Sequence, residues 1–365
     1  MKELKILHVD TQMSWRGGER QALELIRRLN GQGVVNILAC KPDSEISKKA
    51  EDAGIRVVHL PLKGEWDIYS ALNLRSFIRH ENIDIAHAHT SHAHGIAFLA
   101  LAKLGSCKLV VSRRVDFHIK SYLSRKFKYG SSVDKIISVS DAIKRVLIED
   151  GIDEQKIVTI RSGFVLEDSL KKNMKRDIRK ELGLKDDAIV VATVAAFAPH
   201  KAHYVLLKSA YHVLKKYPET VFLLAGDGEL RLSIENDIKS LGIEQSVHIL
   251  GFVDDIGSVY ESADIFALSS KEEGLCTSLL DAMYYNLPIV ATSAGGIPEI
   301  VRDSVNGYIV PVADYTSFAE RLGSLIGNSE HRKKMGARSA SILESHTIEH
   351  TVEKTLEVYR EVAGA

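Results

Sequence analysis

The sequence contains little cysteine, no excess of either charge and no long apolar run. Its three cysteines, Cys40, Cys107 and Cys276, are widely spaced and form no CxxC pair, so we expect neither a disulfide framework nor a structural zinc site. The 48 basic residues equal the 48 acidic residues in number, whereas nucleic-acid-binding domains usually carry a basic excess. The composition therefore argues against a nucleic-acid partner and favours a reducing, cytoplasmic compartment.

The sequence also shows no segment with the features of an export signal or a membrane span. Its first ten residues lead directly into a strand pattern and lack the apolar core of a signal peptide. The longest apolar run, around residues 96–104, contains Lys103 and is shorter than the roughly 20 residues that a membrane span needs. We therefore expect no membrane-spanning helix.

Short apolar runs alternate along the chain with longer amphipathic segments such as Glu19–Leu29 and Leu72–Arg79. This alternation predicts an α/β protein with parallel sheets and helices on both faces, and two such series predict two Rossmann-like, doubly wound domains. The strands predicted for the first domain are Ile6–Val9, Val35–Ala39, Val57–Leu60, Ile83–Ala86, Leu109–Ser112, Lys135–Val139 and Ile157–Ile160. Those predicted for the second are Ile189–Thr193, Val221–Ala225, Val247–Leu250, Asp264–Leu268, Ile289–Ala291 and Tyr308–Val310.

The domain boundary is predicted near Ser162–Lys175, where the apolar pattern lapses and residues 167–173 form a polar connector. We assign residues 1–166 to the first domain and 167–346 to the second. The final segment, 347–365, has helical spacing, and its simplest interpretation is a helix that packs on the second domain.

The most informative segment follows the predicted strand Asp264–Leu268. The acidic pair Glu272 and Glu273 is predicted to open a helix there, with Asp281 two turns later, and Gly295 and Gly296 close the next strand. Ligands of open α/β sheets bind at the carboxyl ends of strands, and helix N-termini favour phosphate. Because carboxylates can accept hydrogen bonds from hydroxyl groups, the segment suits a nucleotide-sugar.

This segment resembles the nucleotide-sugar signature of the retaining glycosyltransferases of family 4, which have the GT-B fold. The residues that carry the resemblance are Ser269, Glu273, Gly274, Asp281, Ala282, Met283, Pro288, Ala291, Thr292, Gly295, Gly296, Pro298 and Glu299. The resemblance extends over nearly the whole chain. It implies two Rossmann-like domains facing across a cleft, with residues 347–365 as a helix that crosses back to the first domain. The first domain would bind the acceptor and the second a nucleoside-diphosphate sugar, with neither cofactor nor metal.

The resemblance also assigns donor-binding roles. Glu273 would orient the reacting sugar, Asp281 would hold the ribose hydroxyls, and Lys201 would neutralise the diphosphate, so that Glu273 and Lys201 are expected to be catalytic. The remaining donor-binding residues expected from the family are Gly17, Gly18, Gly226, Gly228, Gly274, Leu275, Gly295 and Gly296.

Two departures from the family pattern affect the expected donor site. Asp281 stands where the family has glutamate, and Ala196 stands where it has an arginine. Alanine also replaces both glycines of that turn, so one of two diphosphate cations is missing, and either Arg231 or an arginine of the first domain could replace it.

The acceptor side is predicted from two strand ends in the first domain. Strand alternation places His87 and His89 on one face of their strand, where a metal site, an acceptor contact and a structural role are the alternatives; we expect no metal. Arg113, Arg114 and Asp116 follow the next strand, where arginine can bind phosphate. By resemblance, His118 is the candidate for the catalytic histidine of the first domain.

A basic and aromatic run continues from there, with either a solvated face or contact with an anionic membrane surface as its role. It comprises Arg113, Arg114, Lys120, Tyr122, Arg125, Lys126, Phe127, Lys128 and Tyr129.

The function expected from the resemblance is retaining hexosyl transfer to a glycan or lipid-linked acceptor in envelope polysaccharide or lipopolysaccharide synthesis, in the cytoplasm or peripherally at the inner face of the membrane. The alternative is a catalytically weak or non-catalytic GT-B nucleotide-binding protein. An NAD-dependent enzyme is disfavoured because the turn at Arg16–Gln21 lacks the third glycine of the dinucleotide fingerprint.

Overall fold

A computed structural model describes residues 3–102, 104–166, 170 and 176–364. The chain divides into two compact units, one formed by Met1–Val165 with Thr347–Ala365 and the other by Leu166–His346. Apart from Leu170, the predicted polar connector at 167–173 lies outside the described residues.

The described residues form thirteen strands, numbered in chain order. They are β1 Leu4–Val9, β2 Val34–Cys40, β3 Arg56–His59, β4 Ile85–Ala88, β5 Lys108–Arg113, β6 Lys135–Ser138, β7 Ile157–Thr159, β8 Val190–Val194, β9 Val221–Ala225, β10 Val247–Gly251, β11 Ile265–Leu268, β12 Ile289–Thr292 and β13 Gly307–Val310. Each strand predicted from the sequence is present, with its ends shifted by no more than two residues.

The α-helices are numbered in the same way. They are α1 Gly17–Leu29, α2 Glu45–Asp52, α3 Ile68–Glu81, α4 Ser91–Leu101, α5 Asp141–Glu149, α6 Ile178–Glu181, α7 His203–Leu214, α8 Arg231–Leu241, α9 Ile256–Ser262, α10 Thr277–Tyr284, α11 Tyr315–Ile326, α12 Ser329–Leu343 and α13 Ile348–Ala363. A π-helical segment, Ser124–Ser131, follows β5. Among the described residues, no helix combines the length and apolar character needed to cross a membrane.

Both sheets are parallel throughout. In the part of the chain that the structure describes, the first unit has seven strands in the order β3-β2-β1-β4-β5-β6-β7, and the second has six in the order β10-β9-β8-β11-β12-β13. In each sheet the order reverses direction beside the first strand of the unit, β1 or β8, which is the arrangement that places ligands at the carboxyl edge. The fold is therefore two Rossmann-like units, as the alternating pattern predicted.

The last helix, α13, belongs to the first unit. Ile348, Val352, Leu356 and Tyr359 are buried in the same core cluster as Ile6 of β1. Packing on the second domain, the simplest interpretation of its helical spacing, was therefore wrong, and the return to the first domain implied by the family resemblance is confirmed. Helical periodicity shows which face of α13 is apolar but not which sheet covers it.

Candidate functional site

The carboxyl edge of the second sheet brings together loops that follow β8, β9, β11 and β12. The amide of Phe197 donates to the carbonyl of Asp227 at 3.0 Å, and the amide of Lys271 donates to the carbonyl of His200 at 2.8 Å. The amide of Gly296 donates to the carbonyl of Glu273 at 3.1 Å. Backbone hydrogen bonds thus hold the segments that contain most of the predicted donor residues at one edge.

Lys201 and Glu273 form an ion pair at this edge. Each side chain is only 12% exposed, and the Ser270 hydroxyl also donates to Glu273 Oε2 at 3.2 Å. A partly desolvated cation beside a carboxylate can contact a phosphate oxygen and a sugar hydroxyl of the same ligand. The structure therefore joins two residues that lie 72 positions apart in the sequence.

The acidic pair does not open a helix, contrary to the sequence prediction. Helix α10 begins at Thr277, with Cys276 as its N-cap, and Glu272 and Glu273 lie in the loop before it. The physical reason is that Glu273 is held from two sides, its carboxylate by Lys201 and its carbonyl by Gly296. Asp281 lies within α10 and is buried.

Gly226 and Gly228 occupy a turn that admits no side chain. Both have positive φ, +153° and +158°. A Cβ atom on Gly226 would lie 1.9 Å from the carbonyl oxygen of Ala195, and one on Gly228 would lie 2.6 Å from that of Phe197. Close backbone packing between the loops after β8 and β9 therefore requires these glycines, independently of any ligand.

The turn after β8 keeps the backbone geometry expected of a glycine without having one. Ala202 has φ 47° and ψ 46°, in the left-handed region, at a position where the family has glycine. Ala196 supplies no cation, and Arg231 is already engaged, since it donates to Asp227 Oδ2 and to Glu235 Oε1 at 3.0 Å each. Lys201 is thus the predicted diphosphate cation on this turn.

In the first unit, two buried acids missed by the sequence analysis flank the Gly17–Gly18 turn. Asp10 follows β1, and Glu19 lies in the first turn of α1, where its carboxylate accepts from the amide of Arg16 at 2.9 Å. Burial raises the pKa of Asp10 to about 6. Burial, together with the negative charge of Asp10, raises the pKa of Glu19 to about 7. Their positions after a strand and in the first turn of a helix were the available signal.

Arg114 lies beside these acids. Its Cδ atom is 3.5 Å from the position that a Cβ on Gly18 would occupy, and its charge partly offsets the raised pKa values of Asp10 and Glu19. Asp10 Oδ2 and Arg114 Nε have no hydrogen-bond partner among the described residues. Such buried, unpartnered groups can be satisfied by a hydroxylated ligand or by water.

The histidines His8, His87 and His89 form a buried cluster, and His87 and His89 share a face as predicted, with ring centroids 4.1 Å apart. Asn36 determines which atom donates in its hydrogen bond with His8 of this cluster. Its amide nitrogen donates to Asn30 Oδ1 at 2.8 Å, so its oxygen faces His8 Nε2, at 3.0 Å, as an acceptor.

The hydrogen bond between Asn36 and His8 shows which ring nitrogen carries the proton in His8 and in His89. Burial lowers the pKa of His8 to about 4 and holds the pKa of His89 well below its ordinary value, so both rings are neutral at pH 7. His8 therefore donates through Nε2 and accepts through Nδ1, which lies 2.9 Å from His89 Nε2. His89 in turn presents an unprotonated Nδ1, which has no partner among the described residues. A group that binds His89 at Nδ1 would therefore have to donate a hydrogen bond, and an acceptor-side role for His89 stays a prediction.

The same contacts bear on the metal alternative. The ring nitrogens of the three histidines lie within 4.8 Å of one another. However, Tyr359 and Ser112 contact the two nitrogens of His87 at 2.5 and 2.8 Å, and both nitrogens of His8 are also hydrogen bonded. A metal ion would have to displace these bonds, so the arrangement favours a hydrogen-bonded network, and the expectation of no metal stays a prediction.

The remaining residues predicted for the acceptor side differ in their burial and in their contacts. Arg113 is buried and donates to the Tyr129 hydroxyl at 3.2 Å and to the carbonyl of Phe117 at 2.6 Å. His118 is largely exposed, and its Nδ1 lies 3.0 Å from Asp150 Oδ1. Asp116 is half-buried on the same loop. A catalytic role for His118 stays a prediction.

The basic and aromatic run is not a continuous solvated face. Arg113, Lys128 and Tyr129 are buried, and Arg114 is half-buried. Lys128 Nζ contacts Glu65 Oε1 at 2.7 Å and the carbonyl of Ser91 at 3.0 Å, which satisfies the desolvated charge. The exposed members are Lys120, Tyr122, Lys126 and Phe127.

Comparison with protein families matches both units. Residues 15–168 match the family described as Glycosyltransferase Family 4, and residues 174–341 match Glycosyl transferases group 1. Most of both units is therefore covered by glycosyltransferase families.

The chain is similar to known glycosyltransferases and to solved structures over most of its length. The chain is 25% identical to the Escherichia coli UDP-Gal:alpha-D-GlcNAc-diphosphoundecaprenol alpha-1,3-galactosyltransferase, over 88% of this chain and 87% of that protein. It is 26% identical to the N-acetyl-alpha-D-glucosaminyl L-malate synthase of Bacillus anthracis, over 81% and 80%. The structure of Anabaena HepE in complex with UDP superposes with a TM-score of 0.84 at 18% identity, covering 98% of this chain and 100% of that one. The chain accordingly belongs to the group 1, family 4 glycosyltransferases and has their GT-B fold.

Proposed function

We propose that the protein transfers a hexosyl group from a nucleoside-diphosphate sugar to a hydroxyl of a glycan or lipid-linked acceptor, with retention of anomeric configuration and without a metal. The observation that carries the donor assignment is the partly desolvated Lys201–Glu273 pair at the carboxyl edge of the second sheet. It is supported by HepE structures with UDP and with UDP-glucose, and by two relatives whose names specify undecaprenol-linked acceptors.

The chemistry follows from the charge that develops on the leaving group. As the bond between the sugar and the diphosphate breaks, its electron pair stays on the diphosphate, and Lys201 stabilises that charge electrostatically. Glu273 holds Lys201 in place and accepts hydrogen bonds from hydroxyls of the reacting sugar. Retention means that the acceptor oxygen bonds to the anomeric carbon on the face that the diphosphate leaves, and the proton of the acceptor hydroxyl passes to the departing diphosphate oxygen.

The remaining predicted donor residues have supporting roles. Asp281 binds the ribose hydroxyls. The amide of Gly295 adds partial positive charge beside the diphosphate, whereas the amide of Gly296 donates to the carbonyl of Glu273 and holds that residue in place. Because these groups supply the positive charge, chelating agents should leave turnover unchanged. The product belongs to envelope polysaccharide or lipopolysaccharide synthesis on the cytoplasmic side of the membrane.

A second candidate is a weakly catalytic or non-catalytic nucleotide-binding protein, and Ala196 is the observation that favours it. With the family arginine absent, Lys201 alone would stabilise the leaving group from this turn. Such a protein would bind the nucleotide-sugar but would release nucleoside diphosphate slowly or, if non-catalytic, no faster than in buffer.

The donor assignment is tested by Lys201→Ala, with binding of UDP-sugars measured by calorimetry. Loss of a charge-assisted hydrogen bond should weaken binding by about 1–3 kcal/mol. Lys208→Ala is the matched control, because Lys208 is exposed on the following helix, α7. Thermal unfolding of the same samples shows whether Glu273, left without its partner, disturbs the fold. Equal affinity in a folded Lys201→Ala protein would reject the assignment.

A further inference from the structure

Exposed apolar side chains are concentrated in one part of the first unit. Trp66, Ile68, Tyr69 and Leu72, at the start of α3, are each 61–67% exposed. Tyr122, Leu123 and Phe127, at the π-helical segment, are 50–65% exposed. Large apolar side chains this exposed, and this close together in two short segments, are typical of an interaction surface.

A short ion pair joins the two segments. Glu65 Oε1 accepts from Lys128 Nζ at 2.7 Å, and the same Nζ donates to the carbonyl of Ser91 in α4 at 3.0 Å. Trp66 follows Glu65 and Phe127 precedes Lys128 in the chain, so the two segments that carry the exposed side chains contact each other at this ion pair. We name the seven residues Trp66, Ile68, Tyr69, Leu72, Tyr122, Leu123 and Phe127 the aromatic face.

The loop that carries Trp66 is fixed rather than loosely attached. Gly95 of α4 lies against it so closely that a Cβ at that position would be 2.7 Å from the carbonyl oxygen of Glu65. Asp67 caps α3 by accepting from the amide and the hydroxyl of Ser70 at 3.0 and 2.7 Å. Packing therefore presents Trp66 and Tyr69 outward instead of burying them.

The exposed charges beside the aromatic face are mainly basic. Lys63, Lys120 and Lys126 are exposed. The acids of the same segments are engaged or less exposed, since Glu65 pairs with Lys128, Asp67 caps α3, and Asp116 is half-buried. An anionic partner would complement this charge.

We propose that the aromatic face docks on a lipid bilayer with anionic head groups. Trp and Tyr side chains favour the boundary between head groups and acyl chains, and flanking lysines favour anionic lipid. The inference rests on the proposed function in one respect, because docking would bring the enzyme to a lipid-linked acceptor. The residues of the aromatic face are separate from those of the proposed donor site.

Sedimentation of the full chain with vesicles tests the docking. We expect binding to phosphatidylglycerol–phosphatidylcholine vesicles at low salt, weaker binding at high salt, and little binding to phosphatidylcholine alone. The variant Trp66→Ser/Tyr69→Ser should lower partitioning at least tenfold, and Lys120→Gln/Lys126→Gln should remove most of the salt dependence. Leu232→Ser is the matched control, because Leu232 is 74% exposed on the second unit, and it should change nothing.

A spectroscopic readout locates the contact. The chain has two tryptophans, Trp15 and Trp66, so Trp15→Phe leaves Trp66 as the only indole. Its emission should shift to shorter wavelength on anionic vesicles and be quenched by brominated acyl chains.

Several results would overturn the docking. They are equal partitioning to neutral and anionic vesicles, no binding at low salt, unchanged binding of the Trp66→Ser/Tyr69→Ser variant, or self-association of the chain that this variant abolishes. UDP-sugar affinity is measured on the same proteins and should be unaffected by these changes. Failure to bind vesicles with donor binding intact would reject only the docking, whereas failure of the donor site would appear in the calorimetry.

Discussion

At the residue scale, Ala202 shows how the donor turn departs from its family. An L-residue in the left-handed region is strained by roughly 1–2 kcal/mol. Replacing Ala202 with glycine would relieve this strain, but part of the stabilisation would be offset because glycine is more flexible in the unfolded chain. We therefore expect Ala202→Gly to raise the free energy of unfolding by about 0.5–1 kcal/mol. Denaturant unfolding measures it, with Ala198→Gly as the control, since Ala198 has an extended backbone, φ −128° and ψ 154°. A less stable Ala202→Gly protein would show that the strain is compensated elsewhere.

The histidine cluster shows what sequence can and cannot reveal about single residues. Strand alternation sufficed to place His87 and His89 on one face, because the side-chain period of a strand is local. It could not reveal that Asn36, on β2, orients His8, or that Tyr359, 272 positions from His87, contacts it. Those contacts depend on tertiary packing and leave no periodic signal.

At the element scale, the loop after β9 is predicted to be intolerant of any side chain. Gly226→Ala should destabilise the second unit by several kcal/mol, about 3 or more, because the new methyl group would overlap the carbonyl of Ala195. Gly242→Ala is the matched control, since Gly242 also has positive φ, +65°, but no heavy atom lies within 4 Å of its added Cβ. The control should cost only about 1 kcal/mol.

Thermal unfolding of the two alanine variants decides the point. Equal losses at Gly226 and Gly242 would mean that backbone conformation alone, and not the close approach of the loops after β8 and β9, determines the glycine.

The elements themselves could be predicted better than the loops between them. Buried parallel strands are continuous apolar runs bounded by polar turns, so β9 was predicted with its observed ends, Val221 and Ala225. The start of α10 was misplaced, because the acidic residues Glu272 and Glu273 are typical of a first helical turn. Their actual position depends on Lys201 and Gly296, which the local pattern does not include.

At the scale of the whole molecule, the first unit should lose stability as the pH falls from 7 to 5. Burial lowers the pKa of His8 to about 4 and that of His87, His89 and His94 well below the ordinary value. In the unfolded chain these four histidines take up protons near the ordinary histidine pKa of about 6.5, whereas in the folded unit they do not. Acidification therefore favours the unfolded chain.

Two acids oppose that trend. The raised pKa values of Asp10, about 6, and Glu19, about 7, mean that the folded unit takes up protons before the unfolded chain does. Their contribution to stability is therefore full at low pH and is lost as the pH rises through those values. Because four histidines outnumber two acids, the free energy of unfolding should fall on acidification. The slope is about 1.4 kcal/mol per pH unit for each proton that the unfolded chain binds in excess of the folded unit.

Denaturant unfolding of the chain between pH 5 and pH 7 measures this slope. Replacing the exposed His92 with asparagine should leave it unchanged. Burial also lowers the pKa of His203 in the second unit to about 4, which acts in the same direction. A flat profile, or a stability that rises on acidification, would therefore contradict the prediction.

The two-unit organisation followed from the sequence because each series of strands and helices repeats the same local pattern. The assignment of α13 to the first unit required a family resemblance, since its apolar face, including Val352 and Leu356, is equally compatible with either sheet. Long-range placement is decided by packing, not by periodicity.

The central claim is that Glu273 serves the reacting sugar in catalysis. The most direct measurement is hydrolysis of a panel of nucleoside-diphosphate sugars, in which water receives the sugar and nucleoside diphosphate is released. It is made on the unmodified chain, on Glu273→Gln and on the neighbouring Glu272→Gln, whose side chain is exposed. We expect turnover by the unmodified chain and by Glu272→Gln, and a kcat for Glu273→Gln lowered more than its donor affinity. Absence of turnover with every donor, or a Glu273→Gln protein with unchanged kcat, would contradict the account.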